Sequence, residues 1–212
     1  MEKAVVLLCG GSGSRFGANK LLVKLDGKEV FLHSLEKFSQ VVNQENIVVV
    51  LSESEESTFL DLLKENQFDK VKIAKGGQER YHSVLNGLSQ CPSNALVAVH
   101  DAARPYISSN LIKETFESAF KHGGAILCKK VSDTIKIKGE QGIKTLKRDT
   151  LTAAETPQIF YCNDLKEAIN YVIDNDLSVT DDAHAMEYVN KSYYMHVHEG
   201  NNKKITYSSD LD

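Results

Sequence analysis

The chain of 212 residues has no tryptophan, three prolines and four cysteines. No repeat or low-complexity tract divides it, so it reads as one domain over residues 1–212, long enough for a substantial core. Cys9, Cys91, Cys128 and Cys162 form no C-x-x-C pair and no metal spacing with the histidines. They read as reduced, mostly buried small hydrophobes of a cytoplasmic protein. The longest apolar runs are about half a dozen residues, against the roughly 20 that a membrane span needs. The opening Met1-Glu2-Lys3 and the short run after it are too brief for a signal-peptide core. Neither charge sign dominates: 25 basic and 29 acidic residues are interleaved, for a net charge of −4. That balance argues against a nucleic-acid-binding surface. A hydrophobic share of 42% with 25% charged residues is that of a globular chain.

The most informative stretch is Leu8-Cys9-Gly10-Gly11-Ser12-Gly13-Ser14-Arg15-Phe16-Gly17, with Lys20 just beyond. It follows an apolar run, Ala4 to Cys9, that reads as a buried first strand. Glycines after such a strand let backbone N–H groups approach phosphate oxygens with no side chain in the way. Arg15 and Lys20 add two cations, so a nucleoside triphosphate suits the loop. Walker A is excluded because no Lys-Ser or Lys-Thr follows the glycines at its spacing. The dinucleotide fingerprint is excluded because Gly11, Gly13 and Gly17 give G-x-G-x-x-x-G, and the next convincing strand lies too far downstream.

Further along, strand-like runs alternate with helical periodicity. Ile47 to Leu51 is continuous and β-branched, and Val71 to Lys75, Ala95 to His100 and Ala125 to Val131 are similar. Such runs fit strands covered on both faces. Phe31, Leu32, Leu35 and Phe38 fall at helical spacing, as do Ile112, Phe116 and Phe120. The alternation predicts an α/β, Rossmann-like doubly wound, mainly parallel sheet, with ligand sites beyond the carboxyl ends of the strands. The glycine loop, Gly76-Gly77 and Asp101-Ala102-Ala103-Arg104-Pro105 each follow a strand in that way. Two alternating stretches, Thr134 to Lys138 and Ile143 to Lys147, flank Gly139-Glu140-Gln141-Gly142. They read as a protruding β-arm at about 133–151, a hairpin with a loop of about four residues. A lone two-stranded ribbon is barely stable in water, so the arm is expected to lean on the body or on a second subunit.

Taken together, seven ordered blocks resemble the 2-C-methyl-D-erythritol 4-phosphate cytidylyltransferase family, whose close relatives are the ribitol-5-phosphate cytidylyltransferases. The blocks are GGSGSRFG at 10–17, GGQERYHSV at 76–84, HDAARP at 100–105, SDTIK at 132–136, TPQIF at 156–160, TDDA at 180–183 and KKIT at 203–206. The resemblance runs nearly end to end, from Val5 to Leu211. It implies a fold of the nucleotide-diphospho-sugar transferase type and a nucleotidyltransferase that joins CTP to a polyol phosphate with loss of pyrophosphate, using Mg2+. In isoprenoid precursor biosynthesis the product is CDP-methylerythritol. A ribitol-5-phosphate cytidylyltransferase and a CTP-binding protein without turnover remain as alternatives.

In this reaction an anionic phosphate oxygen attacks the α-phosphorus of an anionic nucleotide. Bringing like charges to about 4 Å costs roughly 4 kcal/mol per pair at an effective dielectric of 20. Fixed cations and a metal ion are therefore wanted more than a nucleophile. The resemblance assigns Arg15, Lys20 and Lys204 to catalysis at the triphosphate. It assigns Gly10, Gly11, Gly13, Gly76, Gly77, Arg80, Ser83, Asp101 and Arg104 to nucleotide binding. Ser83 matches the hydroxyl that contacts the base, in a helix beginning near Glu79. Arg80 either binds the nucleotide or pins its loop through an internal ion pair. Asp101 either holds ribose or metal-bound water, or pairs structurally with Arg104. His100 reads as a strand cap, since the transfer needs neither acid nor base. No protein metal site is implied, because Mg2+ rides mainly on the CTP phosphates.

Arg148, Thr156 and Thr180 match the polyol-phosphate positions, with Arg148 on an arm that crosses to a partner subunit. The resemblance thus implies a homodimer through the arm, with CTP and a polyol phosphate as the small-molecule partners and neither nucleic acid nor membrane. Three departures stand out. Asn19-Lys20-Leu21 replaces the usual Pro-Lys-Gln in a shortened loop, leaving Lys24 as a second choice for the loop lysine. Lys147 stands where an acid commonly precedes the arm arginine. The chain stops at Asp212, where relatives continue into a further helix whose loss is expected to expose apolar surface or loosen Lys204.

Overall fold

The computed structural model describes residues 1–10, 19–139 and 142–211. Gly11, Gly13, Arg15, Glu140 and Gln141 therefore lie outside the described residues. The first strand, β1 (Lys3–Leu8), is followed by a small pair, β2 (Lys24–Leu25) and β3 (Lys28–Glu29), and then α1 (Val30–Ser39). Next come β4 (Ile47–Leu51), α2 (Glu56–Glu65), β5 (Lys72–Lys75), α3 (Arg80–Ser89), β6 (Leu96–Asp101), α4 (Ser109–His122) and β7 (Gly124–Lys130). The arm strands β8 (Lys136–Gly139) and β9 (Gly142–Thr145) precede β10 (Thr152–Tyr161), α5 (Cys162–Asp174), α6 (Asp182–Tyr188) and β11 (Tyr194–Val197).

Seven strands form one sheet in the order β11-β7-β10-β6-β1-β4-β5. β1 pairs in parallel with both β4 and β6, β5 with β4, and β11 with β7, whereas β10 runs antiparallel to β6 and β7. The mainly parallel, doubly wound expectation holds. Its physical basis is visible in β1, whose successive residues feed opposite faces. Val5 and Leu7 enter one core with Phe31, Leu35, Phe38 and Phe116. Ala4, Val6 and Leu8 enter the other with Val84, Leu88 and Ile169. All five residues of β4 are buried, as its unbroken β-branched run requires. The four cysteines are free and buried. Among the described residues no helix is long and apolar enough to cross a membrane.

Several expectations need correcting. The arm strands pair through Gly139 and Gly142, so the connection has two residues rather than four. Phe120 is 59% exposed although Ile112 and Phe116 are buried, because the apolar stripe of α4 ends at Ala119. Strand boundaries shift by one residue at β6 and β7, and β5 starts one residue later than expected. His100 lies inside β6, fully buried, rather than capping it. β10 and β11 lie outside the strand-like runs of the sequence. β10 contains Pro157, which has no N–H for a ladder; the pairing with β7 shifts register between Ala154 and Gln158 and accommodates it.

Candidate active site

β1, β4 and β5 end side by side, and an open cleft of about 680 Å³ lies beyond their carboxyl ends. Gly10, Ser52, Glu53, Glu55, Gly76, Gly77, Arg80 and Ser83 are among its lining residues. Open α/β sheets bind ligands at this kind of edge, where β1 is flanked by strands wound in opposite directions. The Gly76 N–H donates to Leu51 O at 2.7 Å, carrying the chain from β5 across the end of β4. The Gly77 N–H donates to Ser83 Oγ at 2.9 Å, and the Glu79 N–H donates to His82 Nδ1 at 3.3 Å, which closes the loop onto the start of α3. A Cβ on Gly77 would lie 2.3 Å from His82 Cβ. Glycine at this position is a packing requirement. The helix begins after Glu79, as the sequence predicts.

Beside the cleft runs a ladder of alternating charge. Lys204 Nζ donates to Asp101 Oδ2 at 2.6 Å, Arg80 Nη2 lies 3.7 Å from Asp101 Oδ1, and the same Nη2 donates to Asp182 Oδ2 at 2.8 Å. Four blocks far apart in sequence thus meet: GGQERYHSV, HDAARP, TDDA and KKIT. Burial works to raise the Asp101 pKa, but Arg80 and then Lys204 outweigh it and hold the carboxyl well below its ordinary range. For Arg80 burial works the other way, and the Asp182 and Asp101 carboxylates overcome it to keep the guanidinium more firmly protonated. Burial pushes Asp182 up, with its side chain only 1% exposed. Lys204, at 42%, keeps an ammonium open to a ligand.

A fifth block, TPQIF, braces this ladder. Thr156 is buried, and its Oγ1 accepts from the Asp101 N–H at 3.1 Å and lies 3.2 Å from His100 Nδ1. Gln158 bridges to the start of α6: Nε2 donates to Asp181 Oδ2 at 2.8 Å and Oε1 accepts from the Ala183 N–H at 2.9 Å. Arg104 points to β10 and the C-terminal segment, with Nη1 3.6 Å from Glu155 Oε1 and donating to Asn202 O at 2.8 Å.

The structure therefore brings together Gly10, Gly76, Gly77, Arg80 and Ser83 at the cleft, with Asp101 and Lys204 beside it. Arg80 is in the internal ion pair that the sequence left open, and Asp101 takes Lys204 and Arg80 as its ion-pair partners. Lys20 is half-buried in the turn after Asn19. Arg148 is exposed in a short turn at the base of the arm, and Thr180 is exposed just before α6. Neither is joined to the ladder in the single chain. The sequence assigns no role to Asp182, Glu155, Gln158 or Asn202, although TDDA contains Asp182 and TPQIF contains Gln158. Asp181-Asp182 also signals a helix start, and Asp181 does cap α6 by accepting from the His184 N–H.

Metal chemistry is testable on these residues. Among the described residues no group of three or more His, Cys, Asp or Glu side chains could hold a metal ion. Glu53, Glu55 and Glu79 line the cleft and Asp101 lies beside it. Mg2+ commonly takes one or two protein carboxylates together with substrate phosphates, and these are the residues that could supply them.

Comparison with known proteins agrees. A family model described as 2-C-methyl-D-erythritol 4-phosphate cytidylyltransferase matches residues 3–212. The chain is 34% identical to the Clostridium tetani enzyme of that name over 99% of its own length and 87% of the relative's. It is 38% identical to the chloroplastic enzyme of Oryza sativa, covering 98% of this chain and 71% of that one. Among solved structures, the Francisella tularensis 2-C-methyl-D-erythritol 4-phosphate cytidylyltransferase superposes with a TM-score of 0.83 at 30% identity, covering 100% and 97% of the two chains. The 4-diphosphocytidyl-2C-methyl-D-erythritol synthase of Anaerococcus prevotii gives 0.88 at 25%, covering 99% and 92%. On sequence and on structure, the chain belongs to the 2-C-methyl-D-erythritol 4-phosphate cytidylyltransferase family.

Proposed function

We infer that this chain catalyses the reaction its family is named for, the joining of CTP and 2-C-methyl-D-erythritol 4-phosphate to give CDP-methylerythritol and pyrophosphate for isoprenoid precursors. The observation that carries this reading is the Lys204–Asp101–Arg80–Asp182 ladder beside a glycine-walled cleft. A phosphate oxygen of the acceptor forms a bond to the α-phosphorus, and the bond to the bridging oxygen breaks to release pyrophosphate. Charge develops on the phosphoryl oxygens, so catalysis rests on preorganised cations. Arg15, Lys20 and Lys204 fill that role. Gly10, Gly11, Gly13, Gly76, Gly77, Arg80 and Ser83 cradle base and phosphates, with Asp101 and Arg104 organising the edge. Mg2+, bound mainly through the CTP phosphates, supplies further charge neutralisation.

The acceptor lies against Arg148 and Thr180, while Thr156, buried with its hydroxyl on the Asp101 N–H and His100, serves that site by bracing Asp101. Arg148 is exposed on an arm whose Ile137 and Ile143 are also exposed, at 50% and 75%. An apolar, half-supported ribbon of this kind favours a homodimer in which the arm of one subunit completes the other's site. The domain spans 1–212, and four free buried thiols suit a cytoplasmic location.

The deciding experiment follows pyrophosphate release from CTP and Mg2+ with 2-C-methyl-D-erythritol 4-phosphate or ribitol 5-phosphate. Release with the first and little with the second is expected. Preference for ribitol 5-phosphate would reassign the acceptor, and CTP binding without release would make the chain a nucleotide sensor. For the shared site, mixing Arg148→Ala with Lys20→Ala chains should restore part of the lost activity. Verified heterodimers without rescue would count against an arginine acting across the interface.

A further inference from the structure

Lys204 sits in a stretch without regular secondary structure, between the end of β11 and the C-terminal turn. Two backbone hydrogen bonds tie its ends: the His198 N–H donates to Cys128 O at 3.1 Å and the Ile205 N–H to Ala103 O at 2.8 Å. Between those points side chains do the holding, and they converge on Glu155. Its Oε2 takes Asn202 Nδ2 at 2.8 Å and lies 3.0 Å from His198 Nε2, while Oε1 faces Arg104 Nη1 at 3.6 Å. Asn202 is fully buried and its Nδ2 donates a second time, to Thr156 O at 2.9 Å, while its backbone carbonyl accepts from Arg104 Nη1 at 2.8 Å. Glu155 and Thr156 lie within the register shift of β10, where a departure from the ladder re-aims side chains.

The Glu155-Thr156 dipeptide thus holds both members of the Lys204–Asp101 pair. Thr156 takes the Asp101 N–H, and Glu155 holds the segment that brings Lys204 to the Asp101 carboxylate. A carboxylate suits the hub because it is acceptor-only and can serve several donors at once. We propose that Glu155 is a positioning residue for the transfer reaction, fixing the Lys204 ammonium at the cleft through Asn202 and His198. Glu155 itself does not reach the substrate. The inference rests on the assignment of Lys204 to the triphosphate.

The test is a double-mutant cycle in the full chain, with turnover measured at saturating CTP, Mg2+ and 2-C-methyl-D-erythritol 4-phosphate. Glu155→Ala should lower kcat by about tenfold or more with the KM for CTP within about twofold, and should change kcat by less than about twofold when added to Lys204→Ala. Hydrogen exchange should quicken in the 198–206 peptide while the sheet stays protected. Equal losses in both backgrounds, or unchanged exchange in that peptide, would overturn the link while leaving Lys204 in place. Full turnover by Lys204→Ala alone would remove the lysine from the reaction and the inference with it. If Glu155→Ala does not fold, the near-isosteric Glu155→Gln carries the same two readouts with a smaller loss, because one acceptor oxygen remains.

Discussion

Lys204 and Asp101, 103 positions apart in the chain, meet with Nζ 2.6 Å from Oδ2, and the same carboxylate also faces Arg80. With Asp182 included, two cations balance two anions. A triphosphate arriving at the cleft therefore offers Lys204 a second anionic partner without asking the protein to leave a charge uncompensated. Lys204 is the outermost member of the ladder, 42% exposed, and it is the member free to make that exchange.

If Lys204 stabilises charge that develops at the α-phosphate, Lys204→Met should lower kcat by about 100-fold or more, the cost typical of losing one preorganised donor. The KM for CTP should move much less, since a cation acting on charge that develops only in the transition state adds little to ground-state binding. Steady-state kinetics with CTP varied would show this. A raised KM with unchanged kcat would make Lys204 a binding residue only.

His100 supplies a pH prediction. Burial overrides the attraction of Asp101 and lowers its pKa from 6.5 to about 3, so the imidazole stays neutral in the folded protein. Between those values the unfolded chain takes up a proton that the folded one refuses. Stability must then fall as pH drops through the window, by at most about 1.4 kcal/mol per pH unit from this one group. The depressed carboxyl of Asp101 also loses its stabilising contribution on acidification, but below its ordinary 3.8. Asp182, pushed up by burial, acts in the opposite sense above its ordinary value. The difference in slope between the parent chain and a His100 variant, measured by urea unfolding between pH 6.5 and 4.5, therefore isolates His100. His100→Asn should show a shallower slope there than the parent chain, and identical slopes would refute the assignment.

Much of this architecture could be read from residues alone, and the failures have physical causes. Ile47 to Leu51 announces a buried strand because parallel central strands need apolar side chains on both faces. β10 does not announce itself. Its first half, Thr152 to Pro157, carries small and polar residues and a proline, which ordinarily demotes a strand, and only the register shift makes room for it. At the site, blocks marked Arg80, Asp101 and Lys204 as polar residues of interest, but no spacing rule says which carboxylate a cation will choose across a hundred residues. Asn202 and Glu155 stayed invisible because short polar residues in coil and on strand margins usually face water. Their burial is a product of tertiary packing.

Asp182 should matter for stability as well as for placing Arg80. Breaking a fully buried ion pair typically costs about 3–5 kcal/mol. Arg80 is 32% exposed and keeps Asp101 at 3.7 Å, and a neutral amide also escapes the burial penalty on the Asp182 carboxylate. Asp182→Asn is therefore expected to cost about 1–2 kcal/mol, in the lower part of the range between surface and buried pairs. The shift should appear in the urea midpoint with m unchanged. No shift would mean that Gln158 and the Asp181 cap hold α6 without the pair.

Gly87 links packing to the cleft. It lies in the last turn of α3, where alanine would ordinarily gain up to about 1 kcal/mol in helix propensity. Here a Cβ would stand 2.5 Å from Val6 Cγ1 and 3.1 Å from Val50 Cγ2, both on fully buried residues with no room to turn. Overpacking of this kind costs about 1–3 kcal/mol, so Gly87→Ala should come out net destabilising by about 1–2 kcal/mol. Relief is possible only if α3 lifts from the sheet, and α3 carries Arg80 and Ser83 at its start while β1 leads into the glycine loop. The KM for CTP should therefore rise with the loss of stability. Val6→Ala, which opens space beneath the helix, should cost less in the Gly87→Ala background than alone, since the new methyl occupies part of the cavity. Additive costs would show that helix and strand do not meet at this point.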